Sequence, residues 1–125
     1  MLRLCSKHLR NPSRRSSGAT DCWRGEPLHA PHVINVEMAL VVRRYAAIRE
    51  IELERGVAAL ADLADMLLCR YSHDRLLRRV WALRHDLIAY DAVYVALTEA
   101  LDAPLLTRDQ RMAAASGHHA RIELV

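Results

Sequence analysis

The segment Tyr90 to Leu101, YDAVYVALTEAL, is apolar nearly all the way round a helix, and a helix of that kind is buried in its domain. Asp102-Ala-Pro is a stop signal, and Leu105-Leu106-Thr107 follows, a run short enough for a buried parallel strand. Asp109 to Ala115 turns helical again, Gly117 ends that turn, and Arg121 to Val125 reads as a last strand. Helix, strand, helix and strand at such short spacings argue for βαβ connections and hence an α/β domain, a short parallel sheet flanked by helices in three layers. Segments 104–107 and 121–124 are expected to be adjacent and parallel, because the helix between them is long enough for a crossover.

The chain becomes orderly from Leu28 onward. Val33 to Glu50 has apolar residues at Val33, Val36, Leu40, Val41, Tyr45 and Ile48, the pattern of a helix with one broad buried face, while Arg43, Arg44 and Arg49 take the other side. ELERG marks a break at Gly56, and Val57 to Leu68 repeats the helical pattern through Leu60, Leu63, Ala64 and Leu67. Cys69-Arg70-Tyr71 can form a short strand. A third helical run goes from Asp74 through Leu76, Leu77, Val80 and Trp81 to His85, with Ser72 or His73 to begin it.

A length of 125 residues suits one small domain, and no stretch is apolar enough for a membrane span. The three cysteines, Cys5, Cys22 and Cys69, are odd in number and far apart, which offers neither a disulfide framework nor a CxxC pair and points to the reducing cytoplasm. The net charge of +3 is unevenly placed. Residues 1–27 hold six basic side chains against Asp21 and Glu26, so the other 98 residues sum to −1. This basic stretch is rich in Ser, Arg, Gly and Pro, lacks sustained periodicity and reads as irregular, leaving 28–125 as the domain.

Several carboxylates sit where apolar packing does not explain them. In an open α/β sheet the site lies beyond the carboxyl ends of the strands. Asp109 is two residues past Leu105–Thr107 and falls there; Asp91, in the first turn of the buried helix, can join it; Glu37 interrupts an otherwise apolar helical face. Carboxylates gathered in a partly desolvated cleft repel one another unless a cation compensates, and a hard divalent ion such as Mg²⁺ does so through oxygen ligands while keeping waters for a phosphoester substrate. Thr107 can orient Asp109 or cap the following helix. Taken singly, Asp91 and Asp109 serve equally well as helix-start charges stabilised by the macrodipole, and Glu37 as a surface charge. The residues alone leave both readings open. His118-His119 reads as surface loop rather than a metal pair, His29 and His32 as residues that set the Ala30-Pro31 turn, and the helix arginines, Arg78 and Arg79 among them, as solvated faces first and phosphate contacts second. Trp81 and Leu77 suit either the core or a groove for a partner.

The segments APHVINVEMALVVRR, YDAVYVALTEALDAPLLTRDQRM and the closing IELV, in this order and separation, resemble the VapC toxins of the PIN-domain ribonuclease family, over roughly Leu28 to Val125. The resemblance implies a Mg²⁺- or Mn²⁺-dependent endoribonuclease of a type II toxin–antitoxin system, with Glu37, Asp91 and Asp109 as catalytic and metal-binding acids. Thr107, Arg43 and Arg44 would bind or orient the substrate. It also implies a structured RNA target such as tRNA or rRNA, a VapB-type antitoxin and a homodimer.

One departure accompanies the agreement. The family begins with a hydrophobic strand ending in the first of four metal-site acids, and no such unit is legible here. MLRLC carries no acid, and only 16 positions separate Asp21 from Glu37. The N-terminal strand is therefore expected to be missing, residues 1–27 to be foreign to the fold through a shifted frame or a misassigned start, and activity to be impaired. The alternative is a degenerate, inactive PIN remnant that acts only as a protein-binding module.

Overall fold

A computed structural model describes residues 27–125 together with the backbone of Arg3–Cys5. The elements run β1 (Arg3–Cys5), β2 (Leu28–Pro31), α1 (Val33–Ala47), α2 (Leu53–Asp65), β3 (Leu68–Tyr71), α3 (Leu77–Ala82), α4 (Ala89–Leu101), β4 (Leu105–Thr107), α5 (Gln110–Ala114) and β5 (Ile122–Leu124). They divide into two compact units: the five strands with everything from Leu68 to Val125, and His32–Leu67.

The first unit holds a mixed sheet of order β3-β2-β1-β4-β5. Its two outer pairs are parallel: β2 runs with β3, setting His29 opposite Cys69, and β4 with β5, setting Leu105 opposite Ile122. The expected adjacency of the last two strands is thus observed. The β2 strand occupies what the sequence presents as a turn. Pro31 is tolerated as its last residue, where the absent N–H is least missed. His29 does not set a turn; it is buried, its Nδ1 lies 2.7 Å from the Tyr71 hydroxyl, and burial holds its ring below the ordinary histidine pKa, hence neutral.

Between the parallel pairs, β1 is antiparallel to both neighbours, with Leu4 opposite His29 on one side and Leu105 on the other. This central strand lies in the stretch from which the N-terminal strand was expected to be missing. Its direction puts Cys5 at the sheet edge opposite to Pro31 and Thr107, and none of its three residues is acidic. The expected irregularity of the rest of this stretch, and its foreign origin, concern residues outside those described.

Helix α4 forms the core of this unit. Seven consecutive residues, Ala92 to Thr98, are buried, as its nearly uniform apolarity requires. The one polar member of that run other than Tyr94, Thr98, turns its hydroxyl back to donate to the Tyr94 carbonyl at 2.8 Å. Asp102 ends the helix in the left-handed conformation, φ 47°, and the buried Leu105, Leu106 and Thr107 of β4 follow at once. Glu99 leaves the helix toward α3. Arg79 grips its carboxylate with two hydrogen bonds, Nε to Oε2 at 2.6 Å and Nη2 to Oε1 at 2.9 Å, and also donates to the Gly117 carbonyl at 2.9 Å. Arg79 is therefore a structural clamp and not the solvated charge expected of it. The clamp extends to the loop after α5, where the His119 amide donates to Glu99 Oε1 at 3.1 Å.

The second unit is the helix pair α1 and α2, in contact with each other. Gly56, expected to break the chain, lies inside α2 and is buried there. A Cβ at this position would sit 3.0 Å from Val42 Cγ1, so the missing side chain admits the close approach of α1. The broad apolar face predicted for α1 is not covered within the unit. Val36, Leu40, Val41, Tyr45 and Ile48 are 44 to 66 % exposed, and Ile34 is the buried residue of the helix. Two helices share a single seam, and a stripe of this width needs more than one neighbour to bury it.

Candidate functional site

Asp109 owes its position to β4. Thr107, the last residue of that strand and almost wholly buried, accepts a hydrogen bond from the Asp109 amide through Oγ1 at 3.0 Å. This turns the chain sharply off the strand end. Asp109 then caps α5, its Oδ1 accepting from the Arg111 amide at 2.8 Å and from the Met112 amide at 3.4 Å. Thr107 thus holds Asp109 through its backbone amide, and Asp109 takes the helix-start position of its plainer reading. One carboxylate oxygen, Oδ2, takes no part in the capping.

Asp91 lies in the first turn of α4, the one acidic residue there, and is half-buried. Its carboxyl pKa is raised above the ordinary value, first by burial and then by the negative charge of Asp109; the guanidinium of Arg111 opposes both. The two aspartates named from the sequence are thus close enough to repel one another, although 18 positions separate them along the chain. Both stand where a buried element begins or ends. The carboxyl end of β4 and the amino end of α4 meet at one edge of the unit, as the rule for open α/β sheets anticipates.

The other candidates lie in the second unit. Glu37 is half-buried on α1, one turn into the helix. Arg43 and Arg44 are exposed on the same helix, where with Leu40, Val41 and Ala47 they line a hollow of about 500 Å³. Among the described residues, no three His, Cys, Asp or Glu side chains gather closely enough to hold a metal ion. Arg111 escaped the sequence reading. Its side chain is 96 % exposed, with Nε 3.7 Å from Asp109 Oδ1, and its place two residues after Asp109 at the start of a helix was the available signal.

His119 is exposed, as expected for a surface loop, with Nδ1 3.5 Å from the Glu99 carboxylate. His118 differs, since both of its ring nitrogens are buried without a hydrogen-bond partner. Tyr94 is fully buried and Tyr90 is 58 % exposed, so of the pair only Tyr94 packs in the core. Trp81 and Leu77 are exposed rather than in the core, and the Arg84 guanidinium stacks 4.9 Å from the Trp81 ring centroid.

The acid pair stands beside the end of a parallel strand and at the start of a buried helix, and comparison with known proteins gives the class. The family model for the PIN domain matches residues 5–117. Three curated relatives are all from Mycobacterium tuberculosis H37Rv. Ribonuclease VapC1 is 46 % identical over 98 residues, 78 % of this chain and 74 % of that protein. Ribonuclease VapC9 is 40 % identical over 87 residues, 70 % of this chain and 68 % of that protein. Ribonuclease VapC12 is 34 % identical over 102 residues, 82 % and 79 % respectively. The chain belongs to the PIN-domain family and, within it, to the VapC type.

Proposed function

We propose that this chain is a divalent-metal-dependent endoribonuclease toxin of a type II toxin–antitoxin system. The observation that carries the reading is the Asp91–Asp109 pair. A half-buried Asp91 whose ionisation is disfavoured by burial and by the neighbouring Asp109 charge, at a strand end, gains most from a hard cation with oxygen ligands. Mg²⁺ or Mn²⁺ would take Asp91 and Asp109 as oxygen ligands, and Glu37 is the third acid that the family pattern supplies. When bound, such an ion lowers the pKa of a water and offsets charge developing on a phosphodiester. The protein's own part is to hold the two carboxylates. Thr107 Oγ1 holds the Asp109 backbone amide, the α5 amides hold one oxygen of its carboxylate, and the buried α4 backbone presents Asp91 from its first turn. Arg43 and Arg44 are suited to RNA phosphates. The substrate is a structured RNA, tRNA or rRNA. A VapB-type antitoxin and a second copy of the chain are the protein partners, and the cytoplasm is the setting. No helix among the described residues is long and apolar enough to cross a membrane.

The fourth acid of the family pattern has no counterpart in β1, whose residues are Arg3, Leu4 and Cys5, and this favours a weak nuclease. The same observation supports the second reading, an inactive PIN remnant that only binds a protein partner. The two separate when residues 1–125 are expressed beside a version with the upstream reading frame restored, and Mn²⁺-dependent cleavage of total tRNA is measured for both. Weak cleavage by the present chain, lost in Asp91→Asn and Asp109→Asn, supports an impaired enzyme. No cleavage supports the remnant. Cleavage equal to the restored version sinks the claim of impairment.

A further inference from the structure

The acid pair has a cation beside it that no capping or packing role occupies. Arg111 is the second residue of α5, and its backbone amide helps cap the helix, but its side chain is almost fully exposed. The guanidinium Nε stands 3.7 Å from Asp109 Oδ1, too long for a good charge-assisted hydrogen bond. An exposed ion pair of this kind contributes little to stability, so the guanidinium can turn to another anion at little cost. Three other arginines of the unit are committed elsewhere. Arg79 clamps Glu99, Arg84 stacks on Trp81, and Arg121 donates to the Asp102 carbonyl.

An RNA strand that approaches two carboxylates meets repulsion from its own phosphates, and a guanidinium at the rim of that pair is the group that relieves it, with a planar fork matched to phosphate oxygens. We propose that Arg111 is a substrate-binding residue of this site, which grips the RNA backbone phosphate beside the one that is cut. The proposal rests on the nuclease reading above.

The test uses the full chain, a fluorescein-labelled mixed-sequence 12-nucleotide RNA for anisotropy in EDTA across a salt series, and total tRNA with Mn²⁺ for cleavage. Arg111→Ala should weaken RNA binding about tenfold and flatten the slope of log affinity against log salt by ~0.7, the value for one phosphate contact on a single strand. Its cleavage defect should lie in KM, with kcat within about twofold. Arg111→Lys should keep the salt slope and recover part of the affinity, because the charge remains and the fork is lost. Arg55→Ala, which removes the same charge from an exposed pair with Asp62, should bind as wild type. An Arg111→Ala chain with wild-type affinity, slope and KM overturns the proposal while leaving the nuclease reading intact, as does a defect confined to kcat. Wild-type chain that neither binds nor cleaves RNA overturns both.

Discussion

Removing Arg79 strips the Glu99 carboxylate of both guanidinium hydrogen bonds while leaving it only 8 % exposed. Truncating one partner of a buried pair costs ~3–5 kcal/mol, because the surviving charge stays desolvated. The Arg79 side chain is itself a third exposed, so water can reach part of the gap, and the His119 amide still donates to Oε1. Both reduce the loss, and Arg79→Ala is expected to destabilise the chain by about 2–3 kcal/mol. For a domain of this size that is a fall in Tm of about 8–12 °C, read by circular dichroism. The double-mutant cycle with Glu99→Gln isolates the pair and should give a coupling of at least ~1 kcal/mol.

The pH dependence gives an independent check. Arg79 above all, aided by the His119 amide, holds the Glu99 carboxyl below its ordinary 4.5 although burial opposes this. A depressed folded pKa means that the unfolded chain takes up its proton first as pH falls. The pair's contribution is therefore fully present above about 4.5 and is lost as pH drops through the lower folded value. Wild type should lose stability across that window, and Arg79→Ala should show a flatter profile there. A variant within about 2 °C of wild type at pH 7, with an unchanged acid profile, refutes the view that this clamp ties α3 and the loop at Gly117 to α4.

The acid pair should behave as a site that opposes the fold. Asp91→Asn removes the repulsion with Asp109, so the metal-free chain should melt no lower than wild type at pH 7 while Mn²⁺-dependent cleavage disappears. Asp109→Ala also removes the α5 cap and should cost ~1 kcal/mol in chemical denaturation, whereas Asp109→Asn keeps an acceptor oxygen, and with it most of that stability, but is equally inactive. Gly117→Ala is strained twice, by φ +80° and by a Cβ 2.6 Å from the Asp86 carboxylate, and should destabilise by ~1–3 kcal/mol. Adding Asp86→Ala to Gly117→Ala should restore only the steric part, and full restoration would show that the backbone carries no strain.

Periodicity and punctuation in the sequence were enough to locate α4, β4, α5 and β5. An all-round apolar helix can only be buried, and a three-residue strand between Pro104 and a capping Asp has few alternatives. Asp91 and Asp109 were legible for the same reason: each stands at the end of an element whose ends are marked. The partnership between them was decided by the tertiary structure, since charge repulsion depends on distance and not on sequence separation. Tertiary structure also moved β2 into the sheet. Leu28–Pro31 is too short and too rich in Pro and His to show a strand's alternation, and it is held there by pairing with β3. The central antiparallel β1 is likewise a matter of partners, for three residues carry no period. Arg79 and Arg111 make the contrast sharpest. Both are arginines on short helices, and beyond Arg111's place just after Asp109 little in the local sequence distinguishes them. Only the fold sets a buried carboxylate under one and a half-buried acid pair beside the other, because side-chain charge acts through space on whatever the chain brings near.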